Sequence, residues 1–479
     1  MKLCSLVEGL PVKIFGDSNV EIRGLSLDSR QTKPGDLFLA RRGSAQDGTA
    51  FAAQAVQAGA RALMLPLRDP FLKVTQVVTE DVSRFTSLFA ARFYDNPSRK
   101  LRVIGVTGSK GKTTSCYLIY HLLSEMGLSP GLMSTVECVV GERRFPSQLT
   151  TNDIVTQQKW LCEMVGSGSR AAVMEVSSHG LDQGRVEGIA FDLALFTNLF
   201  PDHLDYHGTT EAYAAAKKKL FQMASFAIYN ADSPWASFMK GPSPSLTFGI
   251  DSSADLVAEE VRQEGRKLCF RLSGEHFETN LFGKHNLYNL LGAIAVGVQW
   301  GVSLPKLAAF FRSPPQVPGR LEEVPNRLGI SLFVDYAHTG PSLLQVLQAI
   351  RERGVARLFV VFGSGGGRDP ARRKEMGKAA AEGADILVVT TDNPRDEDPE
   401  EICREILAAT PPEKVHLELD RARAIAWAIE RAEKGDAILI AGKGHEKRQI
   451  FAHRSIPFDD LLVAQEELQK RENPAILPL

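Results

Sequence analysis

Strand-like and helix-like runs alternate through most of the chain, and this alternation constrains the fold more than any other feature. Between residues 100 and about 312, four apolar runs end in polar residues and are separated by helix-like segments: LRVIGVTG, AAVMEVSS, FDLALFTNL and FAIYNAD. Such alternation is typical of a parallel sheet with helices on both faces. We therefore expect an α/β fold.

The same pattern returns between residues 321 and 479. Four further runs, LFVDYAH, LFVVFGSGGGRD, ILVVTTDNPRDEDP and AILIAGKGHE, begin with apolar residues and end in polar or charged ones. Ligands of open α/β sheets bind at the carboxyl ends of the strands. We therefore expect these four strand ends to form a binding site.

Two stretches are candidate linkers: the turn-rich RFYDNPSRK at 92–100 and the proline-rich SPPQVPGR at 313–320. They predict three domains, a small mixed α/β domain at 1–98, a central parallel-sheet domain at 99–313, and a Rossmann-like α/β domain at 314–479. Within the first domain, FAAQAVQAGARALML has helical spacing and predicts a helix with Gly59 near its end.

Composition and charge exclude several classes of protein. The 479 residues carry a formal net charge of -1, which gives no general attraction to nucleic acid or anionic membranes. No apolar run reaches the roughly 20 residues of a membrane span, and the N-terminus has no signal-peptide pattern. The six cysteines form no CxxC pair, so we interpret them as reduced thiols of a cytoplasmic protein.

The stretch VIGVTGSKGKTTSCYLIYHLL, at 103–123, predicts an anion site between a strand and a helix. Gly108 and Gly111 let the backbone approach a ligand, and the helix N-terminus favours negative charge. Lys112 adds a positive charge for phosphates, and Thr113 offers a hydroxyl to magnesium. The glycine of the usual Walker spacing is missing, so a plain glycine turn is the alternative. Gly-Lys-Thr-Thr after an apolar strand favours a nucleoside triphosphate and a P-loop-type ATPase domain.

Three further side chains could complete a phosphoryl-transfer site. Glu175 ends a buried-type strand, and His203 and Lys217 flank a turn and a helix. A carboxylate, an imidazole and the threonine of the loop could share magnesium ions. Each also has an ordinary interpretation: His203 as a surface turn residue, and Lys217 as one of three lysines on a solvated helix face.

Eleven motifs in order resemble the Mur ligases of peptidoglycan synthesis. They are TGSKGKTT, TTND, EVSSHGL, TNLFPDHLDYHG, AAAKKKLF, GKHNLYNLLGA, PGRLE, DYAHTGPS, FGSGGGRD, TDNPR and AGKGHE. The resemblance implies an ATP-dependent ligase that phosphorylates a substrate carboxylate to an acyl phosphate, which the amine of an incoming amino acid then attacks. It also implies magnesium as the metal, a monomer, and small-molecule substrates.

The resemblance also implies a role for individual residues. Lys112, Glu175, His203 and Lys217 are catalytic, and Thr113, Glu175, His203 and a carbamylated Lys217 bind the metal. ATP contacts Gly108, Ser109, Lys110, Gly111, Lys112, Thr113, Thr114, Asn286, Asn289, Arg320 and Asp335. The UDP-sugar substrate contacts the first domain and Leu27, Ser29, Thr150, Thr151, Ser177, Gln183 and Arg185. The acceptor amino acid contacts the third domain through Arg368, Asp392, Asn393, Pro394, Arg395, Gly442 and Glu446.

The stretch TDNPRDEDP bears on which amino acid is added. Family members that add diaminopimelate to UDP-N-acetylmuramoyl-L-alanyl-D-glutamate show Asp-Asn-Pro-Arg here, and lysine-adding relatives usually lack the arginine. Arg395 can hold the distal carboxylate of diaminopimelate, which lysine does not have. The alternatives are the same reaction with L-lysine, a folylpolyglutamate-synthase-like ligase, and a non-catalytic nucleotide-binding module.

Overall fold

The computed structural model describes residues 1–43, 46–367 and 369–473. Helices and strands alternate over most of this length, and the predicted α/β class is confirmed. Every helix in these ranges is too short or too polar to cross a membrane.

The bounds of the elements follow for the described residues. The α-helices, α1 to α16 along the chain, are Leu3–Val7, Ala52–Gln57, Val82–Phe93, Lys112–Glu125, Ile154–Gly166, Ser178–Asp182, Leu204–His207, Thr210–Met223, Ala236–Met239, Lys284–Gln299, Leu304–Phe310, Gly340–Arg351, Pro370–Gly383, Pro399–Leu407, Arg421–Arg431 and Asp460–Glu472. The strands, β1 to β24, are Lys13–Phe15, Gly24–Ser26, Asp36–Leu39, Ala62–Leu65, Thr75–Val78, Arg102–Thr107, Gly131–Met133, Glu137–Val140, Arg143–Pro146, Ala171–Glu175, Phe191–Phe196, Ala224–Asn230, Ser245–Gly249, Leu256–Glu264, Lys267–Leu272, Glu275–Thr279, Glu322–Val324, Ser331–Asp335, Leu358–Phe362, Ile386–Val389, Val415–Leu417, Ala437–Ala441, Arg448–Phe451 and Arg454–Pro457. Short 3₁₀ helices lie at Gly48–Phe51, Pro97–Arg99 and Pro412–Lys414.

The chain divides into two compact units. The first comprises Met1–Val257 and Tyr288–Leu307, and the second comprises Ala258–Leu287 and Ala308–Leu479. The predicted domain boundaries after residues 98 and 313 stay predictions, because one compact unit can contain more than one domain.

The first unit opens with a small sheet in the order β1-β5-β4-β3-β2, in which β1 is antiparallel and the other strands are parallel. Here the prediction of one helix through FAAQAVQAGARALML was wrong in its second half. Helix α2 ends at Gln57, Gly59 turns the chain with a φ of 104°, and Ala62–Leu65 forms β4. The apolar Ala-Leu-Met-Leu run is buried between β3 and β5, and sheet pairing overrides its helical spacing.

A larger parallel sheet forms the centre of the first unit. Strand β6 lies between β10 and β11, with β7 beyond β10, and β12 and β13 beyond β11. The five residues of β10 are all buried, as expected of a strand covered on both faces. Because β6, β10 and β11 are parallel, Thr107, Glu175 and Phe196 end at one edge of this sheet. That edge carries the phosphate loop and the turn that contains His203.

The second unit contains a six-stranded sheet in the order β17-β18-β22-β19-β20-β21. All neighbours except β17 and β18 are parallel. The four runs predicted as strands with functional ends are β18, β19, β20 and β22, and they are neighbours in this sheet. Their carboxyl ends are Asp335, Phe362, Val389 and Ala441.

A fully buried ion pair fixes the end of β22. Arg421, the first residue of α15, donates from Nε and Nη2 to Asp460, the first residue of α16, at 2.7 and 2.8 Å. The same Nη2 donates at 2.9 Å to the carbonyl oxygen of Ala441. The pair therefore connects two helices to the strand end that begins the AGKGHE segment.

We predict that Asp460→Ala lowers the free energy of unfolding by roughly 3–5 kcal/mol, because it leaves the Arg421 guanidinium buried without its counter-ion. The matched control is Lys447→Ala, which removes the partly exposed pair of Lys447 with Asp459 at 2.5 Å. That control should cost no more than about 1 kcal/mol. Urea unfolding followed by circular dichroism measures both, and equal losses would contradict the assigned role of the buried pair.

Candidate active site

The phosphate loop joins β6 to α4 through two glycines that no other residue can replace easily. Gly111 has a φ of 82° and is the N-cap of α4. A Cβ atom there would lie 2.2 Å from Asn289 Oδ1, and one at Gly108 would lie 1.9 Å from Thr197 Oγ1. Because Gly111 offers no side chain to cap the helix, the start of α4 is suited to an anion.

The turn after β11 holds the first half of the loop. The N–H of Ser109 donates to the carbonyl oxygen of Asn198 at 2.9 Å, and the N–H of Lys110 donates to Asn198 Oδ1 at 2.9 Å. The Ser109 hydroxyl lies 3.0 Å from Tyr213 Oη. These two backbone donors are therefore used within the protein, and an anion would meet the loop from Gly111 onward.

Two lysine side chains meet at one carbonyl oxygen of the loop. Lys112 Nζ donates to the carbonyl oxygen of Gly108 at 2.8 Å and to that of Ser109 at 3.1 Å. Lys217 Nζ donates to the same oxygen of Gly108 at 2.9 Å and lies 4.5 Å from the centre of the Tyr213 ring. Sequence analysis alone favoured a solvated helix face for Lys217, and this was wrong, because its side chain is buried in the structure.

Burial changes the chemistry of Lys217. Loss of hydration, and next the positive charge of Lys112, lower the pKa of Lys217 well below its ordinary value, while Asp202 opposes the shift. Its neighbours on α8 differ, since Lys218 is half-buried and Lys219 is exposed. The amine of Lys217 is thus driven towards the neutral, nucleophilic form.

His203 is the N-cap residue of α7 and lies in a cluster of aromatic rings. Its ring is 4.9 Å from that of His179 and 6.2 Å from that of Tyr213. Partial burial lowers the pKa of His203 to about 4, against the opposing effect of Asp202. The imidazole is therefore neutral near pH 7, which is the form that binds a metal.

Asp202 is a neighbour of this site that the sequence analysis missed. Burial opposes its ionisation, but Lys110 and His203 outweigh burial and hold the pKa of Asp202 below its ordinary value. Its carboxylate lies 3.6 Å from Lys110 Nζ. Asp202 stands within the PDH segment of the turn motif, and nothing in the motif alone distinguishes it from Asp205.

Glu175, at the end of β10, is buried and held by Thr135. Its two carboxylate oxygens accept hydrogen bonds from the N–H and the hydroxyl of Thr135, at 2.7 and 3.0 Å. In the described ranges, one group of three His, Cys, Asp or Glu side chains has its ligand atoms within 4.8 Å of one another. That group is Cys269, His276 and Glu278 and does not include Glu175 or His203; Glu278 in it is ion-paired with Lys267.

The residues predicted for the nucleotide sugar are brought together around Thr151. Its hydroxyl donates to the carbonyl oxygen of Glu175 and accepts from the N–H of Ser177, both at 3.0 Å. Arg185 donates to the carbonyl oxygen of Thr151 at 2.8 Å and to Gln183 Oε1 at 2.6 Å. Thr150 is connected to this network through Thr135, whose hydroxyl oxygen lies 3.1 Å from the hydroxyl oxygen of Thr150.

The two predicted residues of the first domain lie apart from this network. Ser29 is buried and donates to Gln54 Oε1 at 2.8 Å, and Leu27 is half-buried nearby in sequence. Arg41, in the small sheet region, does contact the Thr151 network: its Nη2 donates a hydrogen bond to the carbonyl oxygen of Gln183 at 2.5 Å. No signal in the sequence singled out Arg41.

In the second unit, three strand-end loops meet at Asn393. Its Nδ2 donates to Glu446 Oε2 at 2.8 Å, and its backbone oxygen accepts from the N–H of Gly366 at 2.9 Å. Arg395 adds a bond from its guanidinium to the carbonyl oxygen of Gly366. A Cβ atom at Gly442 would lie 2.6 Å from Asp392 Oδ2. The GSGGG, DNPR and GKGHE segments thus lie together, at three of the four strand ends for which a binding site was predicted. Ligand binding by these segments stays a prediction.

Lys443 lies among these three segments, although it was not predicted from the sequence as a site residue. Its fully buried Nζ donates to Asn393 Oδ1 and Glu446 Oε2 at 3.0 Å each, and to the carbonyl oxygen of Arg448 at 2.7 Å. Lys443 stood within the AGKGHE motif, but exposure could not be judged from the sequence. Pro394, predicted for the acceptor, is buried, and Arg368 lies outside the described residues.

The remaining predicted nucleotide residues are mostly packed within their own unit. Asp335 is buried, and its oxygens accept from the N–H groups of Leu321 and Ala337, each at 2.7 Å. Burial raises the pKa of Asp335, although Arg320 opposes this. The Arg320 guanidinium lies 4.7 Å from the centre of the Tyr336 ring.

Two asparagines and two threonines complete the predicted nucleotide set. Asn286 and Asn289 are both buried on α10; Asn289 Oδ1 accepts from the Ser115 hydroxyl at 3.3 Å, next to Gly111. Thr113 and Thr114 lie in the first turn of α4 and are also buried. Asn289 and the two threonines therefore belong to the phosphate loop region.

Three family models match the chain. They are the catalytic domain of the Mur ligase family over residues 21–94, the Mur ligase middle domain over 106–297, and the Mur ligase glutamate ligase domain over 319–444. Two curated relatives are described as UDP-N-acetylmuramoyl-L-alanyl-D-glutamate–2,6-diaminopimelate ligases. The one from Geobacillus kaustophilus is 39% identical over 98% of this chain and 100% of its own length, and the one from Chlamydia abortus is 41% identical over 96% and 98%.

The chain belongs to the Mur ligase family. A solved structure with the same described activity is 31% identical, covers 98% of this chain and 99% of its own, and superposes with a TM-score of 0.70. Family membership confirms the resemblance drawn from the eleven motifs, and it confirms the three-domain α/β fold.

In this Mur ligase, we predict that Gly111→Ala lowers affinity for a nucleoside triphosphate by about tenfold or more, equivalent to about 1.4 kcal/mol. The new methyl group would displace Asn289 and distort the start of α4. Gly127→Ala is the matched control, since Gly127 also has a positive φ of 70° but nothing lies within 4 Å of its Cβ position. Calorimetric titration with a non-hydrolysable ATP analogue tests this, and equal affinities in the two variants would contradict it.

Proposed function

We propose that this protein joins diaminopimelate to UDP-N-acetylmuramoyl-L-alanyl-D-glutamate in an ATP-dependent ligation through an acyl phosphate. The observation that carries the proposal is the meeting of Lys112 and Lys217 at the Gly108 carbonyl, inside a glycine loop that starts a helix. Relatives with the corresponding described activity, about 40% identical over nearly the whole chain, support the substrate class.

The first task of such a site is to bring two anions together. A carboxylate and the γ-phosphate of ATP repel each other by roughly 4 kcal/mol at 4 Å when the effective dielectric is near 20. Lys112 lies at the loop with its ammonium group directed at the Gly108 and Ser109 carbonyl oxygens, from which it can turn to a phosphate. Its charge, together with the start of α4, offsets this repulsion and stabilises the charge that develops on the transferred phosphoryl group.

Magnesium fits the donors at this edge of the sheet. Glu175 supplies carboxylate oxygens held in place by Thr135, His203 supplies a neutral imidazole, and Thr113 supplies a hydroxyl. The metal, when bound, would neutralise charge on the phosphate oxygens. These residues would hold it next to the loop.

Lys217 completes this set once its amine is carbamylated. Burial lowers the pKa of Lys217 and favours the neutral amine, which can add carbon dioxide and release a proton to give a carbamate. The product carries a negative charge where the neutral amine carried none, so it can bind a metal and is attracted by Lys112.

The three loops around Asn393 are proposed to bind the acceptor. Glu446 and Asp392 offer carboxylates to its ammonium group, and Arg395 offers a guanidinium to its distal carboxylate. Lys443 holds Asn393 and Glu446 in place and acts as a positioning residue. Because these side chains lie on separate loops, the site would fix the distance between the ammonium group and the distal carboxylate of the acceptor that it binds.

We further propose that the enzyme works as a monomer in the cytoplasm, where ATP is available. A folylpolyglutamate-synthase-like activity is less well supported, because the chain has both the small sheet region at its N-terminus and the DNPR segment. A non-catalytic nucleotide-binding module would not need the buried, deprotonation-prone Lys217 beside the loop.

We predict that phosphate release with ATP and the UDP-linked dipeptide is roughly 100-fold or more efficient, in kcat/KM, with diaminopimelate than with L-lysine. Arg395→Ala should raise KM for diaminopimelate at least about tenfold, because the distal carboxylate loses its partner. The control is Arg404→Ala on the exposed face of α14. Equal efficiency with both amino acids would refute the acceptor, and no turnover with either would refute the ligase.

Lys217→Gln should lower kcat by about 100-fold or more, because the neutral amide can neither bind a metal nor carry the needed charge. Lys218→Gln, one position along α8, should leave kcat within about a factor of two, in line with the small energies of surface groups. Mass spectrometry of the native protein near pH 8 should show one added carbon dioxide that is absent in Lys217→Gln. Near-normal turnover of Lys217→Gln would contradict its role.

A further inference from the structure

Two arginine side chains converge on Gln183, the residue that ends α6. Arg41, two residues after β3, donates from Nη2 to the backbone oxygen of Gln183 at 2.5 Å. Arg185 donates from Nε and Nη2 to the side-chain oxygen of Gln183 at 3.0 and 2.6 Å. Two positive charges thus meet at one residue, and they come from the small sheet region and from the segment after α6.

Both guanidinium groups are partly buried and, among the residues that the structure describes, hydrogen-bond to neutral oxygens. Burial lowers the pKa of Arg41 and the pKa of Arg185, which shows that each charge has lost part of its hydration. Within the described ranges, neither guanidinium group forms an ion pair, and their hydrogen-bond partners are the neutral oxygens of Gln183 and Thr151. Arg185 also feels the positive charge of Arg41.

The nearest acidic residues are engaged elsewhere. Asp153 caps α5, and its carboxylate accepts from the N–H groups of Val155 and Thr156, each at 3.0 Å. Glu187 accepts from the Ser87 hydroxyl at 3.3 Å. Asp153 attracts both arginines, and Glu187 attracts Arg41, without forming an ion pair with them. Holding two like charges together without a counter-ion costs free energy, and such arrangements are concentrated at ligand sites.

We propose that Arg41 binds an oxyanion of the nucleotide-sugar substrate jointly with Arg185, as a contact residue additional to those predicted from the motifs. This inference rests on the proposed function, which supplies a substrate with a diphosphate and the carboxylates of its glutamate. Planar guanidinium groups bind both kinds of oxyanion through paired N–H donors. The N–H donors of both arginines hydrogen-bond to the Gln183 oxygens in this structure, and the substrate oxyanion would replace those oxygens as acceptor.

The test compares Arg41→Gln and Arg41→Lys with Arg42→Gln as the matched control. Arg42 is the next residue and its side chain is exposed. Isothermal titration of each full-length variant with the UDP-linked dipeptide should show a loss of affinity of about 10- to 100-fold for Arg41→Gln and none for the control. Arg41→Lys should recover part of the loss, because it keeps the charge without the paired donors. KM for the nucleotide sugar should rise, while kcat and KM for ATP stay unchanged.

Titration with UDP alone identifies the anion. A similar loss of UDP affinity in Arg41→Gln supports contact with the diphosphate, and a loss confined to the dipeptide-bearing substrate supports contact with a glutamate carboxylate. Either result supports the arginine pair.

Two results would overturn the inference: equal affinities of Arg41→Gln and Arg42→Gln, or a fall in the unfolding midpoint of both Arg41 variants with no loss of affinity. The proposed ligation can fail separately. If the wild-type protein binds the nucleotide sugar and Arg41→Gln weakens that binding as predicted, but no product forms, only the proposed ligation is refuted.

Discussion

Two lysine amino groups share the carbonyl oxygen of Gly108, and the proposed nucleotide half of the site depends on this contact. Lys112 reaches it from α4 and Lys217 from α8, so one oxygen connects the phosphate loop to the helix behind it. Burial, and next the positive charge of Lys112, lower the pKa of Lys217 well below its ordinary value. Carbamylation, as proposed, would give Lys217 a negative charge beside Lys112, and this is also the state that can hold a metal.

The proposed acceptor half depends on a different kind of constraint. Here the charges are balanced within the protein: Lys443 is paired with Glu446, and Arg421 is paired with Asp460 beneath the end of β22. Arg395 has a positive φ of 54° and hydrogen-bonds to a neighbouring loop. These contacts hold the strand-end loops in a defined arrangement before a ligand binds, which lowers the ordering cost of binding. A rigid site of this kind can discriminate between amino acids by the position of one carboxylate.

The sequence alone predicted those parts of the fold and site that depend on a single short segment. Runs such as LRVIGVTG and AILIAGKGHE contain a continuous apolar core and change to glycine and polar residues at their ends, so both the strand and the position of its end could be predicted. The Ala62–Leu65 strand could not, because an Ala-rich helix precedes it without a clear break and only pairing with β3 and β5 makes it a strand.

Side-chain environments were harder to predict than elements. In AAAKKKLF, three identical residues differ only in which face of α8 they occupy, and packing against Gly108 and Tyr213 singles out Lys217. Lys443 and Arg41 were missed for a similar reason, since burial of a charge depends on contacts made far along the chain. The individual ligand roles of the predicted residues stay predictions, because they concern contacts with molecules that the chain itself does not contain.

A crystal structure of the protein with a non-hydrolysable ATP analogue and magnesium tests the central claim most directly. The account predicts the triphosphate at the start of α4, with the γ-phosphate within hydrogen-bonding distance of Lys112 Nζ and the metal near Glu175 and a carbamylated Lys217. A triphosphate bound away from residues 108–114, or an unmodified Lys217 still bonded to Gly108 beside the bound nucleotide, would contradict it.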